Sequence, residues 1–305
     1  MSQKDRGPEG NDQGWGLFND LGSSMSGFGK DALVVLVAFF FLNSFVLASF
    51  EVPTGSMENE IMAGDFLFVN KFLYGGSTPR TIPGTDIRIP WFRLPAFRSV
   101  ERGDVIVFEF PGYRDVIHPE EFTFYLKRAV ALAGDTVEVR NRVLYVNGEA
   151  APIPRNLKFM EPRSRPETQI EPRIFPEGAP YNEDYWGPMR VPRKGDLIDL
   201  NRETYRQWRV FIGREGHTTA LDDHGGVLVD GIPVTQYQVQ QSYLFGMGDN
   251  RDNSLDSRFW GFIPEDNVIG TPMIVYWSWN PDLSLVDFPS KLASIRLNRV
   301  GTIIR

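Results

Sequence analysis

"GDTVEVRNRVLYVNG", residues 134–148, decides how the rest of the chain is read. Gly134-Asp135 reads as a turn with glycine at positive φ, feeding the segment "TVEVRN" (136–141). "VLYVNG" (143–148) follows, and both segments are rich in the β-branched and aromatic residues that favour strands. Asn147-Gly148 is a type I′ hairpin signal, since that turn needs φ > 0 at both central positions. Antiparallel strands joined by tight turns are the prediction.

Working outward, Gly-Asp recurs at Gly64-Asp65, Gly103-Asp104 and Gly195-Asp196, each time ahead of an apolar segment. Strands are predicted at 66–72, 105–110, 197–200, 227–231 and 273–279. "GDLIDLNR" leads, after a longer gap, into "VLVDGIPV", where Asp230-Gly231 repeats the hairpin signal. Residues 151–193 are rich in Pro and Arg and weak in pattern. They read as part of a loop-rich β insertion, about 151–240, on an all-β body.

The composition of the 305 residues narrows the function. Cysteine is absent, which excludes disulfides, thiolate metal sites and Cys nucleophiles. The net charge of −7 is spread along the chain, and no basic block is present to neutralise nucleic-acid phosphates. "ALVVLVAFFFLNSFVLASF", Ala32 to Phe50, carries no charge and is long enough to span a bilayer. A buried core helix and a cleavable signal peptide are the competing readings. A retained anchor at 32–50 is favoured, because a polar, Gly-rich tail (1–31) precedes it where a signal peptide would have a short basic region. Lys30 favours a cytoplasmic tail, with 51–305 on the other side of the membrane.

"EVPTGSMENE" (51–60) puts a hydroxyl-bearing turn where the apolar segment ends. A serine nucleophile needs a base within hydrogen-bond reach. The only histidines, His118, His217 and His224, sit in polar surroundings, and the common hydrolase and nucleotide motifs are missing. A lysine can serve if burial lowers its pKa. Lys127, in "FTFYLKRAVALAG", has apolar neighbours, but composition alone favours a snorkelling surface lysine. "GMGDNRDNSLDSRFWGFIP" (246–264) alternates acids and arginines beside an aromatic cluster, as a hydrogen-bonded network around a buried charge requires.

With these residues in view, the chain resembles the bacterial type I signal peptidases, membrane-bound Ser-Lys leader peptidases. "FEVPTGSM" with "GDFLFVNKFLYG", "RGDVIVFEFP…YLKRAVALAGDTVEV", "MGDNRDNSLDSRFWGFIP" and "IRLNRVGTII" carry the match, in family order. The resemblance implies a signal peptidase/LexA-like antiparallel β fold behind one transmembrane helix. It implies Ser56 as nucleophile, Lys127 as general base and Thr54 as oxyanion donor with the Ser56 N–H. Ser254 would orient the lysine, and Asp256 and Arg258 would form a supporting ion pair. Phe50, Val52, Met57, Ile61, Tyr125 and Leu126 would line shallow pockets for an Ala-x-Ala signal. No metal or cofactor is implied. The implied partners are signal peptides of preproteins at the export translocon and the lipid bilayer of a bacterial inner membrane, with the enzyme a monomer. One departure stands out: Glu58-Asn59-Glu60 replaces the family's x-Pro-Thr. Those acids suggest a modest preference for basic residues after the cut, or a catalytically weak homologue that binds preproteins or scaffolds a secretion complex.

Overall fold

A computed structural model describes residues 13–78, 90, 92–119 and 122–305, with side chains from Gly29 onward. Its centre is a seven-stranded antiparallel sheet of β1 (Leu47–Glu51), β2 (Asp65–Asn70), β3 (Val105–Glu109), β4 (Phe124–Ala131), β14 (Tyr243–Met247), β15 (Ile263–Pro264) and β16 (Val268–Ser278). Their spatial order is β1-β2-β16-β3-β4-β14-β15. β3 shows why this sheet is the core. Ile106 and Phe108 enter a large cluster with Phe245 and Trp260, while Val105 and Val107 enter a second with Met57, Ile61 and Leu67. Alternate side chains point to opposite faces, so a strand apolar at every position needs cover on both.

The segment read first forms β5 (Thr136–Arg140) and β6 (Val143–Val146), which with β7 (Glu149–Ala150) and β8 (Trp186–Arg190) make a four-stranded sheet in the order β7-β6-β5-β8. Asn147 and Gly148 have φ of 54° and 84°, and Asp230 and Gly231 have 51° and 78°, as the hairpin signals required. The β5–β6 connection is a third such turn, through Asn141 and Arg142 at 47° and 70°. The 151–240 stretch supplies β8, whose Trp186 is buried, and the short strands β9 (Leu197–Asp199), β10 (Thr219–Leu221), β11 (Val227–Val229), β12 (Ile232–Val234) and β13 (Gln236–Gln238).

The all-β reading needs two corrections. Residues Tyr205–Arg214 form a helix, α2 (α1 being the N-terminal helix described below), with Val210, Phe211 and Ile212 buried. Trp208, Phe211 and Ile212 carry the helical three-and-four spacing in the sequence. At the N-terminus, α1 (Gln13–Phe45) runs through much of what reads as a tail and stops short of Phe50. Residues 47–51 leave the expected span to pair with β2, Leu47 opposite Asn70 and Glu51 opposite Phe66. Among the described residues no helix is long and apolar enough to cross a membrane. Lys71, at the end of β2, fastens the exit. Its N–H donates to Val46 O (2.9 Å) and its buried Nζ to Asn43 O (3.2 Å), one of the carbonyls a helix end leaves unpaired. Burial, aided by the Arg93 charge, brings the Lys71 ammonium down to about 8.

Two short helices complete the body, α3 (Ser257–Trp260) and α4 (Phe288–Ala293). Asp256 caps α3 and is fully buried with Arg258. Its carboxylate accepts from Arg258 Nε (2.9 Å), Arg258 Nη2 (2.8 Å) and Gly248 N (3.1 Å). Arg258 also donates to Glu183 O (3.0 Å) and Arg251 O (2.8 Å), joining the 151–240 stretch to the 246–264 loop. Burial alone would raise the Asp256 carboxyl, but the Arg258 charge and hydrogen bonds hold it below its ordinary value.

Removing one partner of a buried pair strands the other charge, at a cost of about 3–5 kcal/mol. Asp256→Ala is therefore expected to lower stability by about that amount, read as the midpoint of urea unfolding. The double change Asp256→Ala/Arg258→Met should cost less than the single one. An unchanged midpoint in the single variant would mean that the pair fastens nothing.

Candidate active site

β1 ends at Glu51, and Val52 continues the ladder through Val52 N to Asp65 O (2.9 Å). The chain then turns at 53–57. Two apolar side chains nail the turn down: Met57 and Ile61 are 1% and 0% exposed, and Ile61 N donates to Met57 O (2.9 Å). From the 246–264 loop, Asn250 N donates to Ser56 O (3.0 Å). Ser56 is thus held from both sides, with its hydroxyl facing β4.

Lys127 reaches it from the middle of β4. Its Nζ lies 2.8 Å from Ser56 Oγ and 3.0 Å from Leu126 O. The side chain is 3% exposed and forms no ion pair among the described residues. Desolvation lowers the ammonium to about 8; the Asp256 charge opposes that shift and the Arg258 charge adds to it. Neutral lysine is thus accessible near physiological pH, and a neutral amine can accept the serine proton. The Ser56 N–H donates to no group among the described residues, and Thr54, two residues earlier, is exposed.

Two glycines make the approach possible, and the sequence reading passed over them. A Cβ on Gly246 would stand 3.2 Å from Lys127 Cβ and 2.8 Å from Ile263 Cδ1. One on Gly248 would meet Ser254 Oγ at 2.3 Å and Ser56 O at 2.6 Å. The signal was the Gly-x-Gly of "GMGDN". Arg128 and Asp249 were also missed. They form a bidentate pair, Nε to Oδ1 at 2.9 Å and Nη2 to Oδ2 at 2.6 Å, beside the lysine.

Other expected site residues fall differently. Ser254 does not bond to Lys127: its Oγ is buried without a partner among the described residues, and the lysine donates to Ser56 and Leu126 O. Met57 and Ile61 are closed into the core, so of the six expected pocket residues only Phe50, Tyr125 and Leu126 are half-exposed, with Val52 buried between. The histidines are elsewhere. His217 pairs with Asp230 (2.6 Å) and Gln240, while His118 and His224 are exposed. The acids at 58 and 60 are not free. Glu58 Oε2 pairs with Lys158 Nζ at 2.9 Å. Glu60 is buried, accepting from Arg305 N (2.8 Å) and from Asn156 Nδ2. The preference for basic residues expected from unpaired acids loses its basis.

β14 pairs with β4 only over Arg128–Ala131, leaving the edge at Phe124–Lys127 without a strand partner on that side among the described residues. β1 is likewise an edge strand, paired only with β2. The two edges come together where the Phe50 and Phe124 rings meet at 5.2 Å.

Residues 25–277 match the family model described as signal peptidase, peptidase S26. A signal peptidase I of Buchnera aphidicola subsp. Schizaphis graminum is 29% identical over 275 residues, covering 87% of this chain and 77% of that protein. One from Pseudomonas aeruginosa is 29% identical over 289 residues, covering 90% and 78%. A solved signal peptidase I from Enterococcus faecalis V583 is 19% identical and covers 58% of this chain and 98% of that one, with a TM-score of 0.26, too low to bear on the fold. The matched family model takes in the Ser56 turn, β4 and the 246–264 loop together: the chain belongs to the signal peptidases of peptidase family S26, serine endopeptidases.

Proposed function

We propose that this chain removes N-terminal signal peptides from exported preproteins, with Ser56 as nucleophile and Lys127 as general base. The observation that carries the reading is the 2.8 Å contact between a buried, carboxylate-free lysine and the serine hydroxyl. Neutral Lys127 takes the Ser56 proton as Oγ bonds to the scissile carbonyl carbon. Thr54 Oγ1 and the Ser56 N–H donate to the oxyanion. The C–N bond then breaks, the leaving amine takes the proton from Lys127, and water resolves the acyl-enzyme with the same base.

The two open strand edges support an extended substrate, whose main chain would add between β1 and β4. Half-buried Phe50, Tyr125 and Leu126 leave shallow apolar surface there, which suits small residues such as Ala one and three positions before the cut. α1 is proposed to attach the chain to the membrane through its apolar segment, although no described helix is long and apolar enough to cross one. Leu33 to Leu42 hold apolar side chains that are exposed on every side of the helix, as a bilayer but not water would favour. The catalytic body then lies outside the cytoplasm of a bacterium, beside preproteins delivered by the translocon.

Ser56→Ala and Lys127→Ala should each abolish cleavage of a preprotein by detergent-solubilised enzyme, with the cut mapped by N-terminal sequencing. Turnover by a folded Lys127→Ala protein would remove the base from the mechanism. Because the active form is neutral lysine, kcat/KM should rise about tenfold per pH unit below about 8 and level off above it. A profile governed by a group near 6 would point to histidine. Thr54→Val removes one oxyanion donor, so kcat should fall by roughly 10²–10³ with KM little changed. Equal kinetics would leave the Ser56 N–H as the sole donor.

A further inference from the structure

Glu58 places a carboxylate beside the position where the oxyanion would form. The point where a Gly55 Cβ would stand is 3.6 Å from Glu58 Oε2. Asn250 Nδ2 bridges Gly55 O and Glu58 Oε2, at 3.2 Å to each. By covalent geometry the carboxylate is then within roughly 8 Å of the Ser56 N–H. A negative charge so close opposes the negative charge that develops in the transition state, and opposes it less in the neutral ground state. The hydrogen bond from the Asn250 amide leaves that charge in place. One cation does meet it: Lys158 Nζ, 2.9 Å from Glu58 Oε2.

Lys158 is held there by its backbone. Its N–H donates to Asp249 O and its carbonyl accepts from Arg251 N, both at 2.9 Å, so residue 158 is laced to the loop whose Asn250 N–H donates to Ser56 O. The next residues continue the seam, with Met160 N and Glu161 N donating to Asp252 Oδ2 at 2.7 Å and 2.8 Å. The lysine comes from the 151–240 stretch, for which the sequence reading found no motif.

Building on the Ser-Lys reading above, we propose that Lys158 is an electrostatic positioning residue of the active site: it neutralises Glu58 so that the oxyanion forms without a facing negative charge. Lys158 touches neither substrate nor nucleophile and acts only through Glu58. Lys158→Met should lower kcat roughly tenfold, allowing for solvent screening of a half-exposed carboxylate, and leave KM almost unchanged. Glu58→Gln removes the facing charge and keeps an acceptor for Asn250, so on its own it should leave kcat within about twofold. The double variant should recover to the level of Glu58→Gln, and Lys158→Arg should retain activity.

The measurement is steady-state cleavage of one peptide substrate by the full-length, detergent-solubilised variants, with melting temperature as a check on folding. A kcat unchanged in Lys158→Met overturns the proposal. So does a double variant as slow as Lys158→Met, which would make Lys158 a structural fastener. Should Lys158→Met fail to fold, Lys158→Gln and Lys158→Arg decide the matter: equal kcat in those two overturns it. Wild-type enzyme that cleaves no substrate counts against the peptidase reading and is separate from every one of these outcomes.

Discussion

A lysine ammonium without a carboxylate partner, buried beside a serine hydroxyl, is the constraint that orders this structure. In water such a group stays charged well above neutrality and is useless as a base. Lowering it takes apolar cover on every side, and the fold supplies this by placing β4 inside a sheet covered on both faces. The same cover would exclude Ser56 if side chains stood in the way. Gly246 and Gly248 resolve the conflict, because the missing Cβ atoms leave room for Lys127 Cβ on one side and for Ser56 O and Ser254 on the other.

The neighbouring charges could have undone the effect of burial. Asp256 is buried within electrostatic reach of Lys127, and its charge favours the ammonium. Arg258, pairing with Asp256 through two hydrogen bonds, supplies the opposite influence on the same lysine. The two act in opposite directions, and desolvation, the largest influence, brings the lysine to about 8. The ion pair is therefore more than a fastener between the 246–264 loop and Glu183. Because the pair sets a lowering charge beside a raising one, burial remains the largest influence on Lys127 with two fully buried charges close by.

Legibility followed how local each signal was. The hairpins were readable because Asn-Gly and Asp-Gly satisfy a backbone requirement within two residues. Ser56 and Lys127 were readable as residue types, but 71 positions separate them, and only pairing of β3 with β4 and the fold of the 55–61 turn bring them together. Ser254 was placed by family likeness, and its hydroxyl finds no partner. The acids at 58 and 60 were read as facing substrate because their partners lie far off in sequence, in Asn156, Lys158 and Arg305. The uncharged run 32–50 was read as one element because hydropathy carries no information on which residues β2 will claim.

That last division has a mechanical consequence. β1 connects the end of α1 to the Ser56 turn by five residues, about 17 Å at ~3.4 Å per residue. A loop of that length would let Ser56 wander. A strand paired along its whole length with β2, and pinned at its start by Lys71, fixes the offset between helix end and serine. If α1 lies in a bilayer, as proposed, the offset sets how far from the membrane a substrate must present its scissile bond. On the same proposal, a preprotein held in that membrane by its own apolar segment would meet Ser56 only where its chain has left the helix and become extended. In that proposal the open edges of β1 and β4 would accept the extended conformation and not a helix, since a helix keeps its own N–H and C=O groups occupied. Selection of the cleavage site would then rest first on depth and backbone conformation, with the small-residue pockets acting on whatever has already reached the right height.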